Sequence, residues 1–577
     1  MLTRRRLLIA APLALLFAAL IYMAWLALQV RSDLSAANDS AQQLRDSFET
    51  DDVAARDRAI AELQIAAGDA AGHTDGLWWS ALTHLPLVGD DATGVRALSD
   101  SLDTLATEGA EPLGESVDLL DGLLAGGRVD VDVLTELEAP VAEAHAAFSD
   151  ANDAVVGLDS TGYAGSVRSR FDEYAELVGD ADRVLGSAQG AMEVLPGMVG
   201  ADGPRDYLLV FQNNAEIRAT GGMPGSWAHI NAANGKLVMA RQGTASQFGQ
   251  RPTPLPISDA EMEVYNEQLG TYFQDAGFTP DFPRAADLMA ARWEEELPGP
   301  GLDGVISLDP VAMSYILEGT GPVKVDDRRL TSDNVVDELL NRPYRELEPV
   351  AQDALFQDAA RAIFEASTGD LKDPVEFVRG LSRAADEGRF LVAAFDDAER
   401  ERLAGTSVAG ELTTDDGTTP HVDIGLNDGT GSKMSYYLRY FTEIRTESCI
   451  TGTQRLTGSM TLSQSIPADE AAQLPESVTG TGQFGTEQGS QLVLIRIYGP
   501  NAGTVEDVRF NGRRIDASTV QLDGRPVATL VALLGRASDV VINWSMQTGP
   551  EQSGDVELGM TPSVVPGNND ASIESAC

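Results

Sequence analysis

The chain has 577 residues, and its 41 basic against 89 acidic side chains give a formal charge of −48. A surface of that sign repels phosphate backbones, which excludes unaided nucleic-acid binding and obliges any anionic ligand to find a local basic pocket. At 43% apolar residues the chain is too hydrophobic for a disordered acidic tail, and its length predicts about three or four structural units.

Arg4, Arg5 and Arg6 precede an uncharged stretch from Leu7 to Leu28. At about 1.5 Å per residue a helix of that length can cross a hydrocarbon layer of roughly 30 Å. Tyr22 and Trp25 stand near its far end, as interfacial aromatics do, and the arginines place the N-terminus in the cytoplasm. The competing reading is a cleaved signal peptide, whose apolar core usually runs about 7–15 residues. The expectation is a cytoplasmic stub and transmembrane anchor over 1–30, a single pass in the cell membrane, and an extracytoplasmic bulk.

Leu34, Ala37, Ala41, Leu44 and Phe48 are spaced three and four residues apart, so the chain leaves this segment as a helix. The same period recurs over 53–70, 92–107, 113–125, 130–157 and 165–193, which predicts a helical bundle or stalk for 31–200. Trp78 and Trp79 lie between two of these helices. Adjacent tryptophans cannot both face one core, so one of them rests on a neighbouring domain or the lipid surface, or both are taken up by packing within the bundle, which is the favoured reading.

The pattern changes after Gly203-Pro204. Residues 207–211, 226–230, 237–240 and 305–308 read as strands, with Asn234-Gly235 as a hairpin turn, and helical periodicity falls between and after them, over 258–274, 284–296, 310–318, 333–342, 350–367, 373–387 and 396–403. Alternating strands and helices predict an α/β layer domain for 201–410. From about 420 the period becomes two. Eight segments, 421–425, 433–446, 455–466, 491–498, 505–510, 527–534, 539–546 and 555–560, predict an immunoglobulin-like β-sandwich for 411–577, with Asn511-Gly512 the sharpest hairpin signal. The fold class is thus α+β multidomain. The only two cysteines, Cys449 and Cys577, form either one disulfide or two separate thiols; an oxidising compartment favours the disulfide.

Common catalytic signals are missing. The five histidines are scattered, and no Gly-x-Ser-x-Gly elbow or Walker lysine occurs. Gly480-Thr481-Gly482-Gln483-Phe484-Gly485 matches the dinucleotide pattern, but no helix follows, so it reads as a loop. The candidate ligand loop is Gln212 to Gly222, directly after the first strand, where open α/β sheets place their ligand loops. Asn213 and Asn214 offer amides, Glu216 a carboxylate and Arg218 a bidentate fork, while Gly221 and Gly222 let backbone N–H groups approach a ligand. Arg241, after the next hairpin, is the second candidate phosphate clamp. Alternatively these polar side chains satisfy one another and cap the adjoining elements.

The run Tyr207-Leu-Leu-Val-Phe-Gln-Asn-Asn-Ala-Glu-Ile-Arg-Ala-Thr-Gly-Gly222, with Asn234-Gly235-Lys236, Pro280-Asp281-Phe282-Pro283, Asp303-Gly-Val-Ile-Ser-Leu-Asp-Pro310, Thr320-Gly-Pro-Val323 and Leu330-Thr-Ser-Asp-Asn-Val-Val336, resembles the DUF4012 family, a domain of unknown function in membrane-anchored bacterial proteins. A more distant similarity is to the LytR-CpsA-Psr transferases, which move lipid-linked glycopolymers onto the cell wall. There Arg241 matches the arginine of the second motif, whereas Ala240 and Gln242 stand where that family has proline and aspartate. The resemblance implies an envelope protein that binds or transfers an anionic glycan or lipid-linked sugar phosphate. Arg218 and Arg241 would hold the phosphate, and Glu216 and Asp281 would position a divalent metal or act as base. The alternative is a non-enzymatic scaffold of the cell envelope, with arginines paired off rather than convergent.

Overall fold

The computed structural model describes residues 2–49, 52–86, 88–124, 126–414, 417–482, 484–536 and 539–577; the side chains of 2–20, 49 and 121 lie outside the description. The chain forms two compact units, one of residues 1–123 and 132–195, the other of 124–131 and 196–577.

The first unit is helical: α1 (Leu2–Glu49), α2 (Val53–Thr74), α3 (Leu77–Leu82), α4 (Gly89–Thr104), α5 (Ala110–Leu123), α6 (Val131–Val156) and α7 (Gly165–Met198). A one-turn π-helix, Leu105–Gly109, joins α4 to α5. The alanine-rich composition matters here, because small side chains let helices approach closely. Ala37 of α1, Ala67 of α2 and Ala106 of the π-turn are all fully buried in one cluster.

This arrangement corrects the expected transmembrane helix. Among the described residues no helix is long and apolar enough to cross a membrane. Instead of a spanning segment that ends near residue 30, α1 is a single 48-residue helix. From Leu26 onward its inner face is committed to protein: Leu26 and Val30 are buried in a cluster with Trp79 and Ala92. The side chains of residues 7–20, the rest of the expected span, lie outside the described residues.

The second unit holds a mixed five-stranded sheet of order β3-β2-β1-β4-β7. Its strands are β1 (Arg205–Arg218), β2 (Gly221–Ala233), β3 (Lys236–Thr244), β4 (Gly304–Leu308) and β7 (Phe390–Ala394), with a small hairpin, β5 (Val323–Val325) and β6 (Arg328–Leu330), standing apart. Only β1 and β4 pair in parallel. The sheet is flanked by α8 (Asp259–Tyr265), α9 (Gln268–Thr271), α10 (Phe282–Glu296), α11 (Pro310–Thr320), α12 (Val335–Leu340), α13 (Arg342–Glu346), α14 (Pro349–Ser367), α15 (Pro374–Asp386) and α16 (Asp397–Leu403). Strand β7 was not anticipated: Phe-Leu-Val-Ala-Ala is a short apolar run lying between two helical patterns.

The eight period-two segments form strands β8 (His421–Asp428), β9 (Leu438–Ile450), β10 (Thr453–Gln464), β11 (Gln491–Tyr498), β12 (Thr504–Phe510), β15 (Arg525–Leu534), β16 (Val540–Gln547) and β17 (Val556–Met560). Three short strands join them: β13 (Arg513–Arg514), β14 (Thr519–Leu522) and β18 (Ala571–Ile573). The predicted start of β9 at 433 is instead a 3-10 turn, Met434–Tyr437. Two sheets, β13-β12-β16-β10-β9 and β14-β15-β11-β8-β17-β18, enclose a core that includes Ile424, Leu426, Leu456, Met460, Ile495 and Ile542. Strand β17 runs parallel to β8, so the second sheet is not purely antiparallel. At one edge of the sandwich Cys449 of β9 is bonded to Cys577, which follows β18, so the bridge clasps the two sheets. Asn511-Gly512, with φ of 48° and 77°, turns β12 into β13, as the sequence predicted. The Gly480–Gly485 loop leads into β11 and not into a helix; Gln483 lies outside the described residues.

The α/β layer and the sandwich share one core. Tyr498, Leu522 and Val527 of the sandwich are buried with Leu208, Trp227 and Phe273 of the layer. Across the same contact the hydroxyls of Tyr265 and Tyr498 lie 2.8 Å apart, and the Arg496 guanidinium stacks 4.8 Å from the Tyr265 ring centre.

Candidate functional site

The stretch expected as a ligand loop is the second half of a long strand. β1 continues to Arg218, turns through Ala219 and Thr220, and returns as β2. Between Asn213, which faces Met223, and Ile217, which faces Gly222, the register shifts, so Asn214, Ala215 and Glu216 bulge from the ladder. The glycines serve this bulge: a Cβ on Gly222 would stand 2.4 Å from the Asn213 carbonyl carbon and 2.6 Å from the Asn214 nitrogen. The small size of Gly222 admits a neighbouring backbone, and at Gly221 a Cβ would stand 2.6 Å from Gln212 Oε1.

Each polar side chain of the bulge has a protein partner, while Asn214 Oδ1 and Arg218 Nε are buried without a hydrogen bond. Gln212 accepts from the Gly222 amide at 2.6 Å and donates to Ser307 at 2.6 Å. Asn213 donates to the Tyr344 hydroxyl of α13 at 2.6 Å. Asn214 donates to Asp309, the N-cap of α11, at 2.8 Å. Glu216 lies 2.8 Å from Lys433 Nζ, and the same ammonium sits 5.2 Å from the Tyr344 ring centre. Burial, reinforced by the Glu216 charge, keeps the Tyr344 phenol protonated far above its ordinary range. Arg218, only 7% exposed, donates to Asp275 at 3.0 Å and stacks 4.9 Å from the Phe278 ring centre. Burial raises the Asp275 pKa, and the Arg218 guanidinium opposes that rise.

The tip of the hairpin is gripped by the sandwich. The Ile217 amide donates to Ser435 Oγ at 3.3 Å and the Ala219 amide to Asn427 Oδ1 at 3.1 Å, while the Ala219 carbonyl accepts from Thr561 at 3.2 Å. A second buried cluster reinforces the joint. Arg389, fully enclosed, donates to Glu387 at 2.6 Å, to Asp309 at 3.0 Å and to the carbonyls of Ser563 and Val565 at 2.7 and 2.8 Å. Burial pushes Glu387 up, but hydrogen bonds from Arg389 and Tyr315 hold it, on balance, below the ordinary carboxylate range. One arginine thus ties the α11 cap to the segment after β17.

The other expected site residues lie elsewhere. Arg241 of β3 faces His229 of β2, which faces Leu208 of β1. It is therefore level with a residue ten positions before Arg218, on the order of 30 Å away along the strands. It is exposed and donates to the Pro298 carbonyl at 3.0 Å. Its neighbour Gln242 is held by the Gln357 carbonyl and Arg361. Asp281 stands at the N-cap position of α10 without a side-chain capping bond, and its carboxylate accepts from the Leu412 amide at 3.2 Å; burial raises its pKa to about 6. The expected convergence of Arg218 with Arg241 is corrected by this geometry. Among the described residues, no group of three or more His, Cys, Asp or Glu side chains is placed to hold a metal ion, and Glu216 already has a cationic partner.

Sequence reasoning did not find Asp275, Asp309, Arg389, Asn427 or Lys433. Asp309 left a trace, since aspartate before Pro310 is an N-cap signature. The others are isolated in sequence and acquire meaning only through their distant partners.

The fold and the site together define an α/β layer welded to a two-sheet sandwich through a buried polar bulge. Residues 202–344 match the model of a family described as "Protein of unknown function (DUF4012)", which bears out the resemblance read from the motifs of that segment. No curated protein and no solved structure matches the chain.

Proposed function

We propose that the protein is a non-enzymatic scaffold of the cell envelope, in whose DUF4012 segment the β1–β2 hairpin is a rigid joint between the α/β layer and an interaction sandwich. One observation carries this reading: Asn213, Asn214, Glu216 and Arg218, the residue types suited to a sugar phosphate, are turned inward and engaged by both layers. A pocket for an anionic glycan would need cations left over, whereas Arg218 is neutralised by Asp275 and Arg241 stands far along the sheet. The disulfide clasp supports a location in an oxidising, extracytoplasmic compartment.

Arg218→Ala leaves Asp275 buried without its partner, a loss of about 3–5 kcal/mol. The joint reading expects a lower and less cooperative unfolding transition, with the sandwich parting from the layer. Arg241→Ala should change neither stability nor binding of anionic glycans. Loss of glycan binding in Arg218→Ala with an unaltered unfolding profile would overturn the reading in favour of a sugar-phosphate site.

A further inference from the structure

The sandwich leaves an apolar strand edge open. β14 pairs with β15 only from Arg525 to Ala528, and the Thr529 amide adds one further bond, donating to the Ser518 carbonyl at 3.3 Å. Beyond that point no strand among the described residues pairs with the outer edge of β15, so Leu530 to Leu534 form the rim of their sheet. Hydrogen-bonding direction alternates along an antiparallel strand, so the amides and carbonyls of Val531 and Leu533 point the same way as those of Thr529, off the edge. Their side chains stand on the outer face of the sheet, 57% and 54% exposed, directly opposite Leu494 and Leu492 of β11. Two pairs back on the same face, with Arg496 and Thr529 between, Tyr498 and Val527 are buried under the α/β layer. The open pairs thus continue a face that the layer only begins to cover. Sheet edges are usually guarded by a lysine, a proline or a bulge. Residues 530–534 carry none of these.

We propose that this rim pairs with the same rim of a second copy, antiparallel about a two-fold axis at Ala532, so that one sheet runs through both sandwiches. Three features select a second copy over a foreign strand. The open stretch is bounded by Ser518 at one end and by the end of β15 at Leu534 at the other, and 530–534 fits against its own reverse without running into β14. A longer strand would meet Ser518. The hydrogen-bonding phase also fits its own reverse. With Ala532 on the axis, Val531 faces Leu533 of the other copy, each turning its amide and carbonyl toward the other, and a Val–Leu side-chain pair forms on either side of the axis. Charge is the third feature. In an isologous contact a charged side chain near the axis meets its own like, and on a chain of net charge −48 the stretch from Pro526 to Gly535 is uncharged. The first charge past it, Arg536, falls level with Ala528 of the other copy, beside the start of that copy's β14, where Asp516 shortly before the strand has the opposite sign.

Sedimentation velocity of the full chain over a concentration series should show a monomer–dimer equilibrium. Val531→Lys and Leu533→Glu, each alone, should raise its dissociation constant by about tenfold or more, because each change alters both side-chain pairs beside the axis. Both side chains are exposed, so neither change should move the unfolding midpoint. Val531→Lys combined with Leu533→Glu in one chain should restore the dimer, since each lysine then faces the other copy's glutamate. A strand merely damaged by charge would fare worse with two changes than with one. The proposal is overturned if the full chain stays monomeric throughout, if a dimer survives both single variants undiminished, or if the double variant associates no better than either single one.

Discussion

Two buried ionic clusters hold the α/β layer to the sandwich, and they differ in how they are written in the chain. The β1 bulge packs its polar groups into one short stretch, Gln212 to Arg218, and reads as a functional loop. The Arg389 cluster draws on Asp309, Glu387 and the backbone near Ser563, and reads as nothing at all. In space they do the same work, and Asp309 takes part in both. The comparison teaches that dense polar sequence next to a buried strand reports a need for partners, and burial, not ligand, decides who those partners are.

The comparison breaks most readily at Arg389. Arg389→Ala removes five donors from a site with no access to water and leaves Asp309 and Glu387 uncompensated. The expected loss is about 3–5 kcal/mol, read as a fall in the denaturant midpoint, with increased protease sensitivity after β17. A change under about 1 kcal/mol would mean that the bulge alone holds the joint. Gly222→Ala probes the other cluster. Its Cβ would press on the Asn213 and Asn214 backbone, which cannot rotate away as a side chain could, so a loss of about 1–3 kcal/mol is expected. A neutral result would show that the bulge can relax.

The smallest effect sharpens the comparison through pH. Asp281 lies outside both clusters and has no cationic partner among its hydrogen bonds. Its carboxyl titrates near 6 in the folded state against an unfolded value of 3.8, so the native state holds the proton more tightly. Its contribution is fully present below the unfolded value and is lost as pH rises through about 6. Asp281→Asn keeps an acceptor for the Leu412 amide and removes that loss. The variant should be about 1 kcal/mol more stable than the parent at pH 7, and the two should converge below pH 4. Urea titrations at the two pH values measure the difference. Equal stability at pH 7 would show that solvent reaches the carboxyl freely.

Much of the fold was legible because hydrophobic period is a local property. The helices of the first unit other than α3, which lies in a stretch read as a loop, and the eight main strands after residue 420 followed from spacing alone. What misled was also local. An uncharged run of helical length reads the same whether its far end meets lipid or meets Trp79 and Ala92, and only the tertiary contact separates the cases. The extension of β1 through Gln212 and the two asparagines was masked because those residues disfavour strands in isolation; here Ser307, Tyr344 and Asp309 of the α/β layer take up their amides. At the candidate site, the residue types were right and the geometry was not. Strand register decides whether two arginines converge, and register is invisible until the bulges at Asn213 and His229 are placed.

The grip of Thr561 on the Ala219 carbonyl spans 342 residues, and β8 likewise finds its parallel neighbour only in β17. During synthesis the tip of the first hairpin must therefore wait, its amides and carbonyls unclaimed, until more than half the polypeptide has followed it off the ribosome. Contacts so remote in sequence make for slow maturation and a long interval in which bare strand edges can find the wrong company. The order of assembly, as much as final stability, is then a hazard that the fold has to survive.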